Sequence, residues 1–350
     1  MRLKKWEGNP ILEPTGQGDW EKLAVCNPGA CYKDGTIYLL YRASAETDIY
    51  RIYMGLATSK DGFHFKRASD RPIYNPVEPY EAGCVEDPRV VRMGDYFYIT
   101  YACRAVPYTL FVQGKGPKYP PGAPRCLTEN LTRSGLIRTK DFRSFERLGP
   151  ITRDDVDDRD VVIFPEKVNG RYVMFHRPTE WMGPAYGCAK PSIWMAFSDD
   201  LIHWDNDLLL AQPDPDAAWQ ETKIGASTPP IKTDRGWLVM YHGVQGTGPS
   251  RAYRQGVMML DLNDPTKIIS RPADFVLEPT EPFERTGVEH NVVFAVGNIV
   301  IGDELFVYYG GADKVCCVAT AKLKDVVDFA MSRPVKQRAI PLAKLAGKRA

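Results

Sequence analysis

Carboxylates and cations cluster at four places in this chain, each beside a run of strand-forming residues. The densest cluster is GCVEDPRVV (83–91), where Glu86, Asp87 and Arg89 surround Pro88. A carboxyl group held by a proline and a neighbouring arginine suits a general acid. The same residues equally make an Asx-type turn with a solvent-exposed ion pair. In FPEKVNGRYVMFHRPTEW (164–181), Arg177 ends a strand-like run, Glu180 follows, and Trp181 offers a face for stacking a sugar ring. An arginine so placed also serves as a surface ion-pair partner. WQETKIGASTPPIKTDRGWLVMYHG (219–243) sets Glu221 and Lys223 before a Gly-Ala-Ser-Thr-Pro-Pro stretch and ends the next strand on His242, with Lys232 read as exposed. Finally VEHNVVF (288–294) and YYGGADK (308–314) supply Glu289, His290, Asn291, Tyr309 and Asp313. The Gly-Gly ahead of Asp313 allows a close backbone approach.

Other chemistries lack their signatures. The chain carries no GxSxG elbow, no P-loop and no Rossmann fingerprint on a strand-turn-helix unit, which leaves covalent serine or cysteine catalysis without backing. The five histidines show no ligand-like pairing, although His176 and His242 read as matching positions in two strands, and no metal site is expected.

The elements that must position these groups repeat. Five strands align as DGTIYLLYR (34–42), GDYFYITYA (94–102), NGRYVMFHR (169–177), DRGWLVMYHG (234–243) and GDELFVYYGG (302–311). Each opens on a turn and runs on through aromatic, β-branched and large aliphatic residues. Each is followed by a partner strand, in MGLATSKDGFHF (54–65), SGLIRTKDFRSF (134–145), SIWMAFSDDLIHW (192–204), GVMMLDLNDPTKI (256–268) and CCVATAKLKD (316–325). Three of these continue into Ser/Thr-x-Asp and then an aromatic. A repeat of roughly 60–75 residues built from antiparallel strands predicts an all-β, five-bladed β-propeller. Equivalent positions of different blades would then converge on one central funnel. A repeat array of this kind can also serve as a protein-interaction surface.

Composition is consistent with one such unit over residues 1–350, ending in a short basic tail from about 335, read as solvated. The net charge of +1, with both signs interspersed, excludes bulk electrostatic binding to nucleic acid or membrane surfaces. No apolar run follows the charged start MRLKKWEGNPILEP, and no segment is long and apolar enough to span a bilayer, so a cytoplasmic protein is expected. The eight cysteines lack metal-type spacing and read as buried free thiols, with Cys316 and Cys317 facing opposite sides of one strand.

Over essentially its whole length the chain resembles glycoside hydrolase family 130, the β-mannoside phosphorylases and mannosidases. The matching blocks are NPILEP (9–14), CNPGA (26–30), LLYRA (39–43), EDPRV (86–90), FPEKVNGRYVMFHRP (164–178), SDDLIHW (198–204), KIGASTPPIKT (223–233), MYHGV (240–244), NVVF (291–294) and YYGGAD (308–313). The family fold is a five-bladed β-propeller. The resemblance implies that Asp87 is the general acid, protonating the leaving oxygen through a hydroxyl of the bound mannose while inorganic phosphate attacks with inversion. It implies that Arg177, Lys223 and His242 bind phosphate, with Arg42 as a fourth contact. It also implies that Asp313 and the Glu281/Glu284 region hold the mannosyl hydroxyls, beside an aromatic wall to which Tyr309 and Trp181 are assigned. The implied partner is a β-mannoside oligosaccharide, with no organic cofactor or metal and with phosphate as co-substrate; homo-oligomeric assembly is left open.

Two reactions compete within that family. An inverting hydrolase needs a base for water, with carboxyl groups roughly 6.5–9.5 Å apart. Glu180 and Glu221, each beside the expected phosphate pocket, are the candidates. Three retained cations favour phosphorolysis, whereas inward-pointing carboxylates there would repel phosphate and favour a β-1,2-mannosidase. The long loop 112–133 is expected to shape the acceptor site.

Overall fold

The computed structural model describes residues 1–15, 20–45 and 51–346. The chain is all-β, and its strands form five antiparallel meanders in sequence order. The strands recognised in the sequence are the second and third of each meander. In the first unit these are Thr36–Ser44 and Ile52–Ser59, and in the third Tyr172–Pro178 and Ile193–Ser198. Ahead of each runs a further strand: Ala24–Lys33, Cys84–Met93, Asp158–Ile163, Lys223–Ala226 with Ile231–Thr233, and Val293–Ile301. These first strands carry Pro28, Pro88 and polar residues, which disguise them as loops. Four of them are bulged, the register slipping between Cys26 and Gly29, Glu86 and Arg89, Arg159 and Val162, and Ala295 and Gly297, and the fourth unit's is interrupted between Ala226 and Ile231, which is how they tolerate proline.

The meanders pack in a ring. The first strand of the first unit lies against those of the second and fifth units, and the first strand of the third lies against those of the second and fourth. Five apolar cores fill the seams between successive units. Leu40, Met54, Val85 and Ile99 join the first to the second, Leu136, Val161 and Met174 the second to the third, and Phe164, Phe175, Trp237 and Met258 the third to the fourth. Val257, Val293 and Val307 join the fourth to the fifth, and Val25, Leu39, Tyr308 and Val318 return the fifth to the first. Cys316 and Cys317 do face opposite ways, one in each of the last two seams, and all eight cysteines are buried and free.

The Ser/Thr-x-Asp repeat is structural. Ser59, Thr139 and Ser198 accept backbone N–H bonds from two and three residues ahead. Asp61, Asp141 and Asp200 do the same for the next turn, so each motif locks the corner after a third strand.

The basic C-terminal stretch is not a solvated tail. Pro334–Arg338 pairs with Lys267–Ser270, Ile340–Pro341 pairs with Trp204–Ala211, and Leu345 is buried against Trp181 and Trp194. Its alternation of apolar and charged residues covers two sheet edges, a role that its net charge concealed. Residues 347–350 lie outside the described residues. At the other end, Lys4–Lys5 pairs with Val315–Lys322, so the N-terminus completes the fifth meander.

A buried polar module recurs under the cavity. Tyr41, Tyr101, His176, Tyr241 and Tyr309 occupy one register position, and each bonds an acid or amide from the segment before its unit's first strand or at that strand's start. Glu21 adds Arg67, Glu81 adds Arg147, Gln220 adds Arg271 and Glu284 adds Lys5. Tyr309 and Glu284 are therefore the fifth copy of a structural device, with Tyr309 Oη donating to Glu284 Oε1 at 2.8 Å, rather than a sugar-binding pair. Glu284→Ala is expected to cost about 1–3 kcal/mol of stability, because it leaves the buried Tyr309 hydroxyl without its acceptor and removes the carboxylate paired with the part-buried Lys5. It should leave the KM for mannoside unchanged. A raised KM with an unaltered melting temperature would return Glu284 to the binding site.

Candidate active site

The residue one step beyond that module turns to the opposite face of the sheet. There the five second strands present Arg42, Ala102, Arg177, His242 and Gly310, paired with Cys26, Glu86, Arg159, Gly225 and Phe294 of the first strands. Arg42, Ala102, Arg177 and His242 all line one cavity of about 440 Å³. His242 thus matches Arg177 and Arg42, and His176 lies one residue out of that register. At Gly310 a Cβ would come within 1.9 Å of Asn27 Oδ1, so the close approach requires glycine. The bulges supply a second set of groups. Asn27, Asp87 and Asp160 sit at φ 48°, 54° and 55°, a left-handed conformation in which Asn and Asp are the usual non-glycine occupants. The bulge aims each side chain into the cavity.

One end of the cavity is acidic. Arg42 Nη1 stands 3.3 Å from Glu86 Oε2, 3.6 Å from Asp87 Oδ1 and 3.4 Å from Asp313 Oδ2. Asn27 Nδ2 donates to Asp87 Oδ1 at 2.9 Å and reaches Asp313 Oδ1 at 3.5 Å. Burial raises the Asp87 carboxyl above the usual range; Arg42 opposes the shift and Glu86 reinforces it. Asp313 is raised by burial as well, again against the pull of Arg42.

The other end is cationic. Arg177, Lys223, Arg159, Arg251 and Arg89 line it with His242 and Tyr253; Asp160 sits among them, and Glu289, also on the wall, pairs with Arg251. Arg177 Nε donates to Asp160 Oδ2 at 2.6 Å, and Arg89 Nη2 and His242 Nε2 each lie 3.5 Å from an Asp160 oxygen. Burial works against ionisation of Asp160, but the Arg177 and Arg89 charges outweigh it and hold the carboxyl well below its ordinary range. Burial, then the Arg177 charge, pushes the Lys223 ammonium down to about 7, and burial takes the His242 imidazole down to about 3. Arg177 is fixed from behind. Its backbone N–H donates to Asp158 Oδ1 at 3.1 Å, while Asp158 Oδ2 holds His176 Nδ1 at 2.8 Å. Burial disfavours the His176 charge, yet Asp158 and Asp207 raise the group to about 10.

The structure therefore gathers Asp87, Arg177, Lys223, His242, Arg42 and Asp313 at one cavity. Six other expected residues lie elsewhere. Glu180 is exposed and forms a bidentate pair with Arg125 at 2.9 and 3.2 Å. Glu221 is exposed and accepts the Gly246 N–H at 3.1 Å. Trp181 is a core residue, stacked on Tyr186 at 5.5 Å and edge-on to Trp194 at 5.0 Å under the C-terminal helix. Glu281 caps the short helix Pro282–Arg285 together with Glu284, and Tyr309 belongs to the buried module. Sequence reading missed Asn27, Arg159, Asp160 and Arg251 as cavity residues. A signal for the first and third lies in the units themselves: the structure puts Asn27 and Asp160 at the bulge position of Asp87, one residue past the partners of Arg42, Arg177 and Ala102. Arg251 lies in a turn with no repeat counterpart. Among the described residues no group of three or more His, Cys, Asp or Glu is arranged to hold a metal ion.

Comparison with known proteins accords with this geometry. A family model for glycoside hydrolase family 130, described as beta-1,4-mannooligosaccharide phosphorylase, matches residues 2–115 and 126–332. A 1,2-beta-oligomannan phosphorylase of Thermoanaerobacter sp. (strain X514) is 35% identical over 331 residues, covering 93% of this chain and 99% of that protein. A beta-1,2-mannobiose phosphorylase of the same strain is 33% identical over 340 residues, covering 94% and 100%. The solved structure of beta-1,2-mannobiose phosphorylase from Listeria innocua, in complex with beta-1,2-mannobiose, superposes with a TM-score of 0.78 at 26% identity, covering 94% of this chain and 99% of that one.

Proposed function

Since the chain belongs to glycoside hydrolase family 130, we infer that it is an inverting β-mannoside phosphorylase that transfers a terminal β-1,2-linked mannosyl unit to inorganic phosphate, giving α-D-mannose 1-phosphate. The observation that carries this reading is the polarity of the cavity, a raised carboxyl at one end and a cluster of cations at the other. The linkage follows the names of two relatives that each cover more than nine-tenths of the chain. The ring of five meanders with five filled seams supports a single five-bladed β-propeller. Eight buried free thiols support a reducing, cytoplasmic setting; among the described residues no helix is long and apolar enough to cross a membrane.

In this mechanism the non-reducing mannose lies over Asn27, Arg42 and Asp313, whose donors and acceptors meet its hydroxyls. Asp87, whose ionisation burial disfavours, acts as the acid and delivers its proton toward the departing oxygen as the glycosidic bond lengthens and the ring gains oxocarbenium character. Phosphate carries between about one and two negative charges near neutrality. It must be held in line on the opposite face, and Arg177, Lys223 and Arg159 offer charge-assisted bonds from converging directions. The C1–O bond to the leaving group breaks as the phosphate oxygen bonds C1, inverting the anomeric centre.

Hydrolysis is less well served. The sequence candidates for a water-activating base, Glu180 and Glu221, are bonded to Arg125 and the Gly246 N–H outside the cavity. Asp160 is inside it, but a carboxyl held so far below its ordinary range is a weak base, and Glu289, also on the cavity wall, is ion-paired with Arg251. Incubation with β-1,2-mannobiose is expected to release mannose 1-phosphate only when phosphate is present. Free mannose as sole product, at one rate with or without phosphate, would overturn the reading.

A further inference from the structure

Beside Arg177, apart from the Glu289 carboxylate that pairs with Arg251, the cationic end of the cavity presents two hydrogen-bond acceptors that attraction of an anion does not call for. One is the Asp160 carboxylate. Arg177 Nε bonds its Oδ2 at 2.6 Å, while Oδ1 has the longer 3.5 Å approach of Arg89 Nη2. The other is His242 Nε2. Behind that ring, Gln255 Nε2 donates to the Val293 carbonyl at 2.8 Å, which turns its Oε1 toward Ser227. Ser227 Oγ donates to this Oε1 at 2.7 Å. The single hydroxyl proton is thereby used, so Ser227 Oγ meets His242 Nδ1, 3.4 Å away, as an acceptor. The imidazole proton then sits on Nδ1, and Nε2 presents a lone pair to the cavity, 3.5 Å from Asp160 Oδ2. Gly225 packs closely against both atoms and leaves no room there for a side chain. A Cβ at Gly225 would lie 2.2 Å from Asp160 Oδ2 and 2.8 Å from His242 Nε2.

We propose that Asp160 and His242 make the cationic pocket selective for an oxyanion that carries a proton: hydrogen phosphate is taken with its P–OH donated into this pair, and sulfate, which has no proton to give, is rejected. The proposal rests on the phosphorolysis reading and adds the protonation state of the co-substrate. At about pH 8 hydrogen phosphate and sulfate are both dianions of similar shape. Attraction to Arg177 and Lys223 therefore does not separate them. The difference lies at the acceptors, where a sulfate oxygen would face a carboxylate and a lone pair across an unmade hydrogen bond. Ser227 and Gln255 are positioning residues that set the His242 tautomer.

The test is calorimetric titration of the protein, without sugar, with inorganic phosphate, sulfate and monofluorophosphate, a dianion of phosphate shape lacking the hydroxyl. Phosphate is expected to bind at least about tenfold more tightly than the other two. In Asp160→Asn, whose amide can donate, the gap should narrow to within about threefold. Ser227→Ala frees the tautomer and should narrow it in the same direction, so the result does not depend on the Asp160 variant folding. Equal affinities for phosphate and sulfate in the wild type, or an undiminished gap in folded forms of both variants, would overturn the proposal. If phosphate-dependent turnover is seen while sulfate binds as well as phosphate, this inference alone falls. If phosphate does not bind and mannoside is cleaved without it, the phosphorolysis reading falls and this inference with it.

Discussion

Asp87→Asn is expected to lower kcat/KM for β-1,2-mannobiose about a thousandfold, the middle of the range that a positioned general acid supplies. The substitution keeps the shape and the contact with Asn27, now 2.9 Å from Oδ1, but has no proton to release. Its cause is chemical, so the loss should depend on the leaving group. A mannosyl alcohol leaves as a strong base unless it is protonated, whereas a nitrophenolate departs without help. The deficit with a dinitrophenyl β-mannoside should therefore shrink to about tenfold or less. A merely structural defect would depress both substrates alike, and that outcome, or an active variant with mannobiose, would remove Asp87 from the acid role. The wild-type acid is set by burial with Glu86 beside it, against Arg42. Loss of activity at alkaline pH should accordingly begin above the ordinary carboxylate range.

Much of this fold was legible in the sequence, because a repeat turns sequence alignment into spatial alignment. The second strands carry enough aromatic and β-branched residues to be seen directly, but matching His176 with His242 sets the third and fourth units one residue out of register. It is the family resemblance that groups Arg42, Arg177 and His242, which the structure brings to one cavity. The first strands resisted, since Asn27-Pro28 and Asp87-Pro88 look like turns when read locally. They are strands because a bulge accommodates the left-handed residue and the proline together, and the residues that broke the local pattern are the ones aimed into the cavity. Glu180 and Trp181 failed for a different reason. Adjacency to Arg177 in sequence carries little weight just after a strand ends. The chain turns there, so that Glu180 faces Arg125 of the long 105–132 insertion and Trp181 enters the seam closed by Leu345. Neither partner could be oriented from sequence. Glu284 and Tyr309 are the instructive case: compared with Glu81 and Tyr101, or Glu21 and Tyr41, they are recognisable as structure, a comparison between units that proximity to Asp313 obscures.

The apparent KM for phosphate is expected to rise about tenfold per pH unit above about pH 8, as one proton is lost from the empty pocket. Lys223 is the group responsible. Burial and the neighbouring Arg177 bring it to about 7, so its ammonium is half lost where its arginine neighbours stay charged. The other titratable base facing the anion, His242, is already neutral there. Phosphate remains a dianion through this range, so the change belongs to the protein. The sign follows from which form binds: the charged ammonium attracts phosphate, raising pH removes it, and affinity falls. Stability runs the other way. Unfolding returns Lys223 to about 10.4, so between about 7 and 10.4 the unfolded chain holds the extra proton and this residue's contribution favours the folded state as pH rises. Weaker phosphate binding on the alkaline side is thus not a symptom of unfolding at this residue. Lys223→Arg keeps the charge at every accessible pH and should flatten the rise, while Lys223→Ala should lift the KM by about 10- to 100-fold near neutrality and flatten it as well. A wild-type KM that is level between about pH 8 and 9.5, or a rise of equal slope in Lys223→Arg, would separate Lys223 from the phosphate and leave Arg177 and Arg159 as its binding groups.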